Sequence, residues 1–385
     1  MVRSLLLIIV IILSAAGALN ASDWQVETVD NTGAGKFSSL KIDKDGNAHV
    51  AYVAEDGKDS LKYGFWDHSL KRWFVMLVDH GASFPSLVLD SKQHPRISYA
   101  DAGTTPGCKL RYAWWNGNSW EKQALPINSQ TVAYYTSLAL DANDNPSISF
   151  YEYDGPKGTD FRVRIRVVTW NGEYWQIKTV DGQNQSGKFN SMAMDAHGRL
   201  HLAYANVNAG TAGLRYALRS GDSWQLEVLD GHEQNNMGNV GYAICLALDE
   251  QDNPRITYTN YTNPAVKYAA LIGGHWQIEV VDRLKQVAYP DRNSIALDPQ
   301  GHPYIGYYDA GLGALKLAHR DGQRWVHEIV DEGGSGFTSS LQIDHDLIWI
   351  SYADEANGGL KVARRKVGIS DGVKNSEVVN GQPKD

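Results

Sequence analysis

"SIALDPQGHPYIGYYDAG" occupies residues 294–311, and the chain says nearly the same thing twice earlier: "SLALDANDNPSISFYEYD" at 137–154 and "SLVLDSKQHPRISYAD" at 86–101. Each copy reads as a short apolar strand, an Asp-led turn and a second strand ending in an aromatic. Working outward, a Trp recurs at Trp24, Trp73, Trp120, Trp175, Trp224, Trp276 and Trp325, at intervals of 47 to 55 residues. The "SLxLD" phrase closes at Asp43, Asp90, Asp141, Asp195, Asp249, Asp298 and Asp344. The second strand carries Tyr52, Tyr99, Phe150, Tyr204, Tyr258, Tyr307 or Tyr352. A Gly-rich loop then leads to "LKYG", "LRYA", "VKYA" or "LKLA", and "NGNSW", "NGEYW" or "DGQRW" turns into the next Trp.

That is four short strands per unit and seven units. Asn-Gly and Asp-Gly between strands favour tight hairpins because both central residues must tolerate positive φ. A lone four-stranded sheet with two apolar faces cannot bury both; radial stacking buries each face on its neighbour. The pattern predicts an all-β, seven-bladed β-propeller with "SLxLD" as the inner strand and the Trp strand outermost. The chain then opens on an outer strand and ends on three strands of an unfinished blade. The first strand is therefore expected to complete the last blade, closing the ring and hiding an open edge.

Composition limits what the ring does. The formal net charge is −8, and no dense Lys/Arg run is available to displace counterions from phosphates, which argues against a nucleic-acid partner. "LLLIIVIIL" after Arg3, followed by "AGA", reads as a signal peptide over residues 1–21. The expectation is an exported monomer, secreted or periplasmic, without stable membrane insertion. The propeller is assigned to residues 22–366 and a disordered C-terminal tail to 367–385. Cys108 and Cys245 fall on blades two and five, too far apart around the ring for a disulfide.

Residues present in every unit are read as scaffold: the turn Asp as a cap accepting backbone N–H groups, the seven Trp as packing between blades. Oxygen-rich turns such as "DKDGN" suit Ca2+ but lack the distal Glu of a helix-loop-helix site. No cofactor is expected, with Ca2+ as the alternative. Function is sought where the repeat departs from itself, on the face that carries the longer, more variable loops. Those departures bring Tyr134, Tyr135, Tyr153, Tyr242, Tyr289 and Tyr308 as candidate ligand-binding aromatics. The position two residues after the second-strand aromatic reads Ala54, Asp101, Glu152, Asn206, Asn260, Asp309 and Asp354 in turn, and is expected to crown the channel mouth. Rings and oxygens of this kind suit sugars, with faces for C–H groups and acceptors for hydroxyls.

Residues 24–366 resemble the repeat propellers of secreted bacterial and archaeal proteins, and more distantly the sialidase superfamily, through the three phrases above and the Trp spacing. The resemblance implies the fold. The Ser-x-Asp-x-Gly-x-x-Trp box of sialidases is missing, and "SGDSW" at 220–224 is a truncated echo, so sialidase activity is not expected. Lectins and polysaccharide lyases have comparable architectures. The leading expectation is a binding module for a glycan or another extracellular polymer, with an extracellular protein as the other partner class. The alternative is a polysaccharide-active enzyme. A lyase would draw on Tyr289, Arg292 and His232 for a base and a carboxylate-neutralising group; a hydrolase would need two carboxylates, with Glu152, Asp309, Asp101 and Asp354 competing.

Overall fold

The computed structural model describes residues 24–33, 35–101, 109–127, 132–154, 162–182, 186–207, 212–231, 240–288, 292–333 and 335–367. Its strands form seven four-stranded antiparallel sheets, and no helix occurs among the described residues. Blade one shows the plan: inner strand Gly35–Ile42, then Ala48–Ala54, Ser60–Asp67 and outer strand Arg72–Asp79. The alternation of strand side chains puts the second-strand aromatic of every blade at essentially zero exposure between sheets.

The ring closes as the repeat phase requires. The strand Gln25–Asp30 pairs antiparallel with Gly359–Lys366 and completes blade seven. Trp24 lies buried beside it, its indole N–H donating to Glu328 (3.3 Å) and its ring under the Arg365 guanidinium.

Packing between blades explains the recurring residues. Trp120 meets Tyr63, Trp175 meets Tyr112, Trp276 meets Tyr216 and Trp325 meets Tyr268, each edge to face across a seam at 5.1–5.9 Å. The turn Asp accepts the N–H groups two and four residues ahead in six blades: Asp43 from Asp45 and Asn47, Asp298 from Gln300 and His302, and likewise between. Blade seven replaces that turn with a tighter hairpin through His345, at φ 52°.

A second recurring pair locks the seams. Tyr52, Tyr99, Tyr204, Tyr258, Tyr307 and Tyr352 each donate a phenol O–H to the Asp that ends the preceding blade's outer strand: Asp30, Asp79, Asp181, Asp230, Asp282 and Asp331 (2.6–3.0 Å). A Lys or Arg joins the carboxylate in all six, for example Lys62 on Asp30 at 2.8 Å. The seam between blades two and three lacks both partners: Phe150 has no hydroxyl, and Pro126, six residues after Trp120 as each latch Asp is six residues after its own Trp, stands where the Asp would be. Exchanging both members of a buried pair for apolar groups is nearly neutral, whereas losing one strands the other.

Candidate functional site

The inner strands surround a central channel of about 470 Å³, within the ~300–1,000 Å³ range of small-molecule sites. Its walls are built in layers by the repeat. The Ser of "SLxLD" supplies a polar layer in which Ser39, Ser86, Ser137 and Ser191 Oγ each accept a backbone N–H from the next blade at 3.0–3.1 Å. Cys245 stands at this position in blade five. Two residues further on, the wall reads Lys41, Val88, Ala139, Ala193, Ala247, Ala296 and Gln342.

Two residues before the Ser, at the long-loop end, the chain bulges. Phe37, Phe84, Tyr135, Phe189, Ala243 and Thr338 all have φ between 51° and 54°, a left-handed conformation that costs a non-glycine residue about 1–2 kcal/mol. Bonds across the seams hold it: the Phe84 carbonyl accepts from Thr136 Oγ1 (2.8 Å), that of Tyr135 from Asn190 Nδ2 (2.6 Å), and that of Thr338 from Ser38 Oγ (3.1 Å). The backbone twist therefore serves closure of the ring. The side chains it carries do not follow from closure, and in four neighbouring blades they are aromatic.

Those side chains pave half of the mouth. Phe37, Phe84, Tyr135 and Phe189 stand ring beside ring at centroid distances of 4.4, 4.5 and 4.8 Å. Their interplanar angles of 42–49° lie near the ~51° step that radial repetition of seven blades imposes. The row leaves the channel through Tyr242 (4.8 Å from Phe189) and Tyr261 (4.5 Å from Tyr242). Tyr134 meets Phe84 edge-on at 5.9 Å. Across from the rings, the equivalent positions hold Ala243, Arg292 and Thr338, and Arg292 lines both mouth and channel.

The candidates read from sequence separate here. Tyr135 and Tyr242 belong to the row and Tyr134 flanks it, while Tyr153 is half-buried on the second strand of blade three. Tyr308 is buried, its phenol pKa raised by that burial and by Glu355 and Asp309 nearby. His232 and Tyr289 lie outside the described residues, as do Cys108, the expected signal peptide and the tail beyond residue 367.

The acids of the polar set expected to crown the channel are engaged in ion pairs. Asp101, Glu152, Asp309 and Asp354 are not among the residues that line the channel or the cavity at the aromatic rings, and each binds a cation at a strand end. Asp101 pairs with Arg111 (2.6 Å), Glu152 with Arg164 (2.5 Å) and Arg166 (2.9 Å), Asp309 with Lys316 (3.4 Å), and Asp354 with Lys361 (2.9 Å). The reason for Glu152 is the altered seam: Arg166 occupies the place where other blades send a cation to the seam Asp, and without that Asp it turns to Glu152. Asp309 and Asp354 also accept backbone N–H groups from the turns that follow them.

Sequence reading missed Phe37, Phe84, Phe189 and Lys41. The signal was available as an aromatic two residues before the Ser of "SLxLD" in four units: "FSS", "FPS", "YTS" and "FNS". On the short-turn face, Asp195, His197 and Asp252 bring three ligand atoms within 4.8 Å of one another. Asp195 is already engaged by Arg199 and His201, and Asp252 accepts the Ala196 N–H as Asp144 accepts that of Ser91. The cluster also joins two blades across their seam.

No protein-family model and no curated protein matches the chain. Solved structures do. An ulvan lyase superposes with a TM-score of 0.57 at 12% identity, over 87% of this chain and 94% of its own; the same lyase bound to -[GlcA(1-4)Rha3S]- gives 0.56. The Aleuria aurantia lectin in complex with Fucα1-6GlcNAc matches with a TM-score of 0.52 at 14% identity, over 80% of this chain and 98% of its own. The Trypanosoma rangeli sialidase in complex with sialic acid gives 0.53 at 10% identity over 90% of this chain, which spans only 59% of the sialidase. At these identities the likeness is one of fold. Among the described residues, no helix is long and apolar enough to cross a membrane.

Proposed function

We propose that the protein is an exported glycan-binding module that receives a sugar against the aromatic half of the channel mouth. The observation that carries this reading is the row of Phe37, Phe84, Tyr135 and Phe189, continued by Tyr242 and Tyr261. Faces of pyranose rings are apolar patches of C–H groups, and tilted aromatic rings offer a surface that holds them while the hydroxyls stay hydrated. Three of the four channel-lining rings are only half-buried, so a ligand would find their faces accessible. The rigid ring of blades supplies preorganisation, which lowers the entropic cost of binding. Solved structures of this architecture that carry saccharide ligands support the class of ligand without specifying it.

The test is a glycan array probed with the parent and with Phe84→Ala and Tyr135→Ala. Stacked rings contribute on the order of 1 kcal/mol beyond area burial, so each variant is expected to bind its glycan about five- to tenfold more weakly while remaining folded by circular dichroism. Folded variants that keep every array signal at parental strength would refute the reading.

A further inference from the structure

We infer that the channel behind the aromatic mouth is an anion site, and that the ligand is an acidic glycan whose carboxylate or sulfate ester enters between Arg292 and Lys41. This rests on the reading of the mouth given above and specifies its ligand.

The chain carries a net charge of −8, yet the described residues lining the channel include two cations and no carboxylate. Neither Lys41 nor Arg292 forms an ion pair with any described residue, although most other buried or half-buried cations in the blades do. Both are enclosed by protein while part of each side chain stays open to the lumen. Burial pushes the Lys41 ammonium below its ordinary pKa, opposed by Cys245 and reinforced by repulsion from Arg292. Burial likewise lowers Arg292, again opposed by Cys245. Two like charges held together in low-dielectric walls are unfavourable unless an opposite charge joins them, and such walls focus their field onto an entering anion.

Position in the repeat argues the same way. At the layer of Arg292 the other blades carry Phe, Tyr, Ala or Thr, and at the layer of Lys41 they carry Val, Ala or Gln. Nothing in ring closure calls for a cation at either place. The two ends of the channel also differ in charge. The rim on the short-turn side is lined by Asp249, Glu250 and Asp298, of which Asp249 is paired with Arg255, Asp298 is held by its turn, and exposed Glu250 faces an entering anion with like charge. The long-loop end presents aromatic rings with Arg292 opposite them. An acidic sugar is thus admitted at the aromatic end, ring against Phe84 and Tyr135, acidic group toward Arg292.

Affinity electrophoresis of the full chain in gels containing dextran sulfate, polygalacturonate or neutral dextran tests this. Three proteins are compared: the parent, the charge-removing pair Lys41→Met with Arg292→Met, and the charge-keeping pair Lys41→Arg with Arg292→Lys. The expected result is retention of the parent by an acidic polymer, at least tenfold weaker retention of the methionine pair, and recovery in the charge-keeping pair. The polymer that retains the parent tells sulfate ester from carboxylate. Because unpaired enclosed cations are removed, the methionine pair is expected to melt no lower than the parent, so lost retention is not lost folding. Equal retention of parent and methionine pair, or no retention of the parent by either acidic polymer, overturns the anion site. If Phe84→Ala still loses its array signal in that case, the aromatic reading stands alone; if it too binds as the parent does, both fall.

Discussion

Two belts of this ring are built from the same repeat and treat it differently. The Tyr–Asp latch occurs in six seams with the same atoms in the same roles, and the seventh seam changes both partners together, to Phe150 and Pro126. The mouth layer keeps its left-handed backbone in six blades but varies its side chains from Phe and Tyr to Ala and Thr, with Arg292 at the equivalent place in the other. Paired change at a buried contact is what a scaffold demands, since one orphaned polar group costs more than the pair contributes. Constant backbone with varying side chains is what a scaffold permits. The comparison assigns holding to the latches and recognition to the mouth.

The largest test concerns the seam that joins the two ends of the chain. Deleting residues 22–30 removes the strand paired to Gly359–Lys366, the Trp24 anchor and the Asp30 carboxylate that latches Tyr52 and Lys62. Loss of a buried Trp alone costs about 3–5 kcal/mol, and the deletion also exposes a strand edge. We expect the melting midpoint to fall by more than for any single substitution below, with aggregation on heating. An unchanged midpoint in calorimetry would break the assignment of holding to the seams.

Acid is expected to attack the turn caps next. Asp43 and Asp195 lie at about 2, below the ordinary 3.8, because hydrogen bonds from His49 and Asn47, or from Arg199 and His201, outweigh the burial that pushes them up. Their stabilisation is complete above pH 4 and is lost as pH falls from about 4 to about 2, on the order of 2 kcal/mol each. His201 acts earlier: burial lowers its pKa below 6.5, opposed by Asp195. The unfolded chain takes up that proton first, and stability begins to decline below about pH 6.5. Urea midpoints measured from pH 7 to pH 2 should trace this slope, and Asp195→Asn should flatten its lower part. A parent whose midpoint is level down to pH 3 would contradict it.

The latch itself can be rewritten to match its exception. Asp79→Leu leaves the Tyr99 hydroxyl buried without its acceptor and should cost roughly 1–3 kcal/mol. Adding Tyr99→Phe removes both members of the latch, as Pro126 and Phe150 do in the next seam, and should recover most of that loss, since Lys122, the other partner of Asp79, is exposed enough to turn to water. Equal stability of the single and double variants in denaturant melts would mean that the blade two–three seam is not a substitute for the latch.

These differences also explain what could be read from sequence. Ring closure, blade number, the capping Asp and the Trp seams were legible because each depends on short-range spacing repeated seven times. Asp101, Glu152, Asp309 and Asp354 were legible as variable acids but not as paired ones. Their partners sit on the next strand, and register decides whether Arg166 reaches Glu152 or a seam Asp. The mouth was half legible. Tyr135 and Tyr242 stood out as additions to the repeat, while Phe37, Phe84 and Phe189 looked like ordinary apolar strand residues. What turns them toward the lumen is a bulge at positive φ, and Phe does not advertise that conformation as Gly would.

The smallest expected effect on stability falls on that bulge. Phe84 holds φ at 51°, its carbonyl accepts from Thr136, and its ring touches Phe37 and Tyr135 at the half-buried mouth. In Phe84→Gly the backbone keeps its carbonyl bond, and relief of left-handed strain returns about 1–2 kcal/mol. Against this stand the loss of ring contacts at a site open on one side and the greater freedom of a Gly in the unfolded chain, about 0.4–1 kcal/mol. The two sides nearly cancel, so the denaturant midpoint should shift by less than about 1 kcal/mol equivalent. A buried aromatic such as Tyr204 cut to Ala should cost roughly 3–5 kcal/mol on the precedent of large-to-small core changes. Glycan binding should respond in the opposite order, with Phe84→Gly losing it while folded. If Phe84→Gly unfolds as readily as Tyr204→Ala, the rings at the mouth are holding the blades together, and the division between the two belts fails at the point where it was drawn.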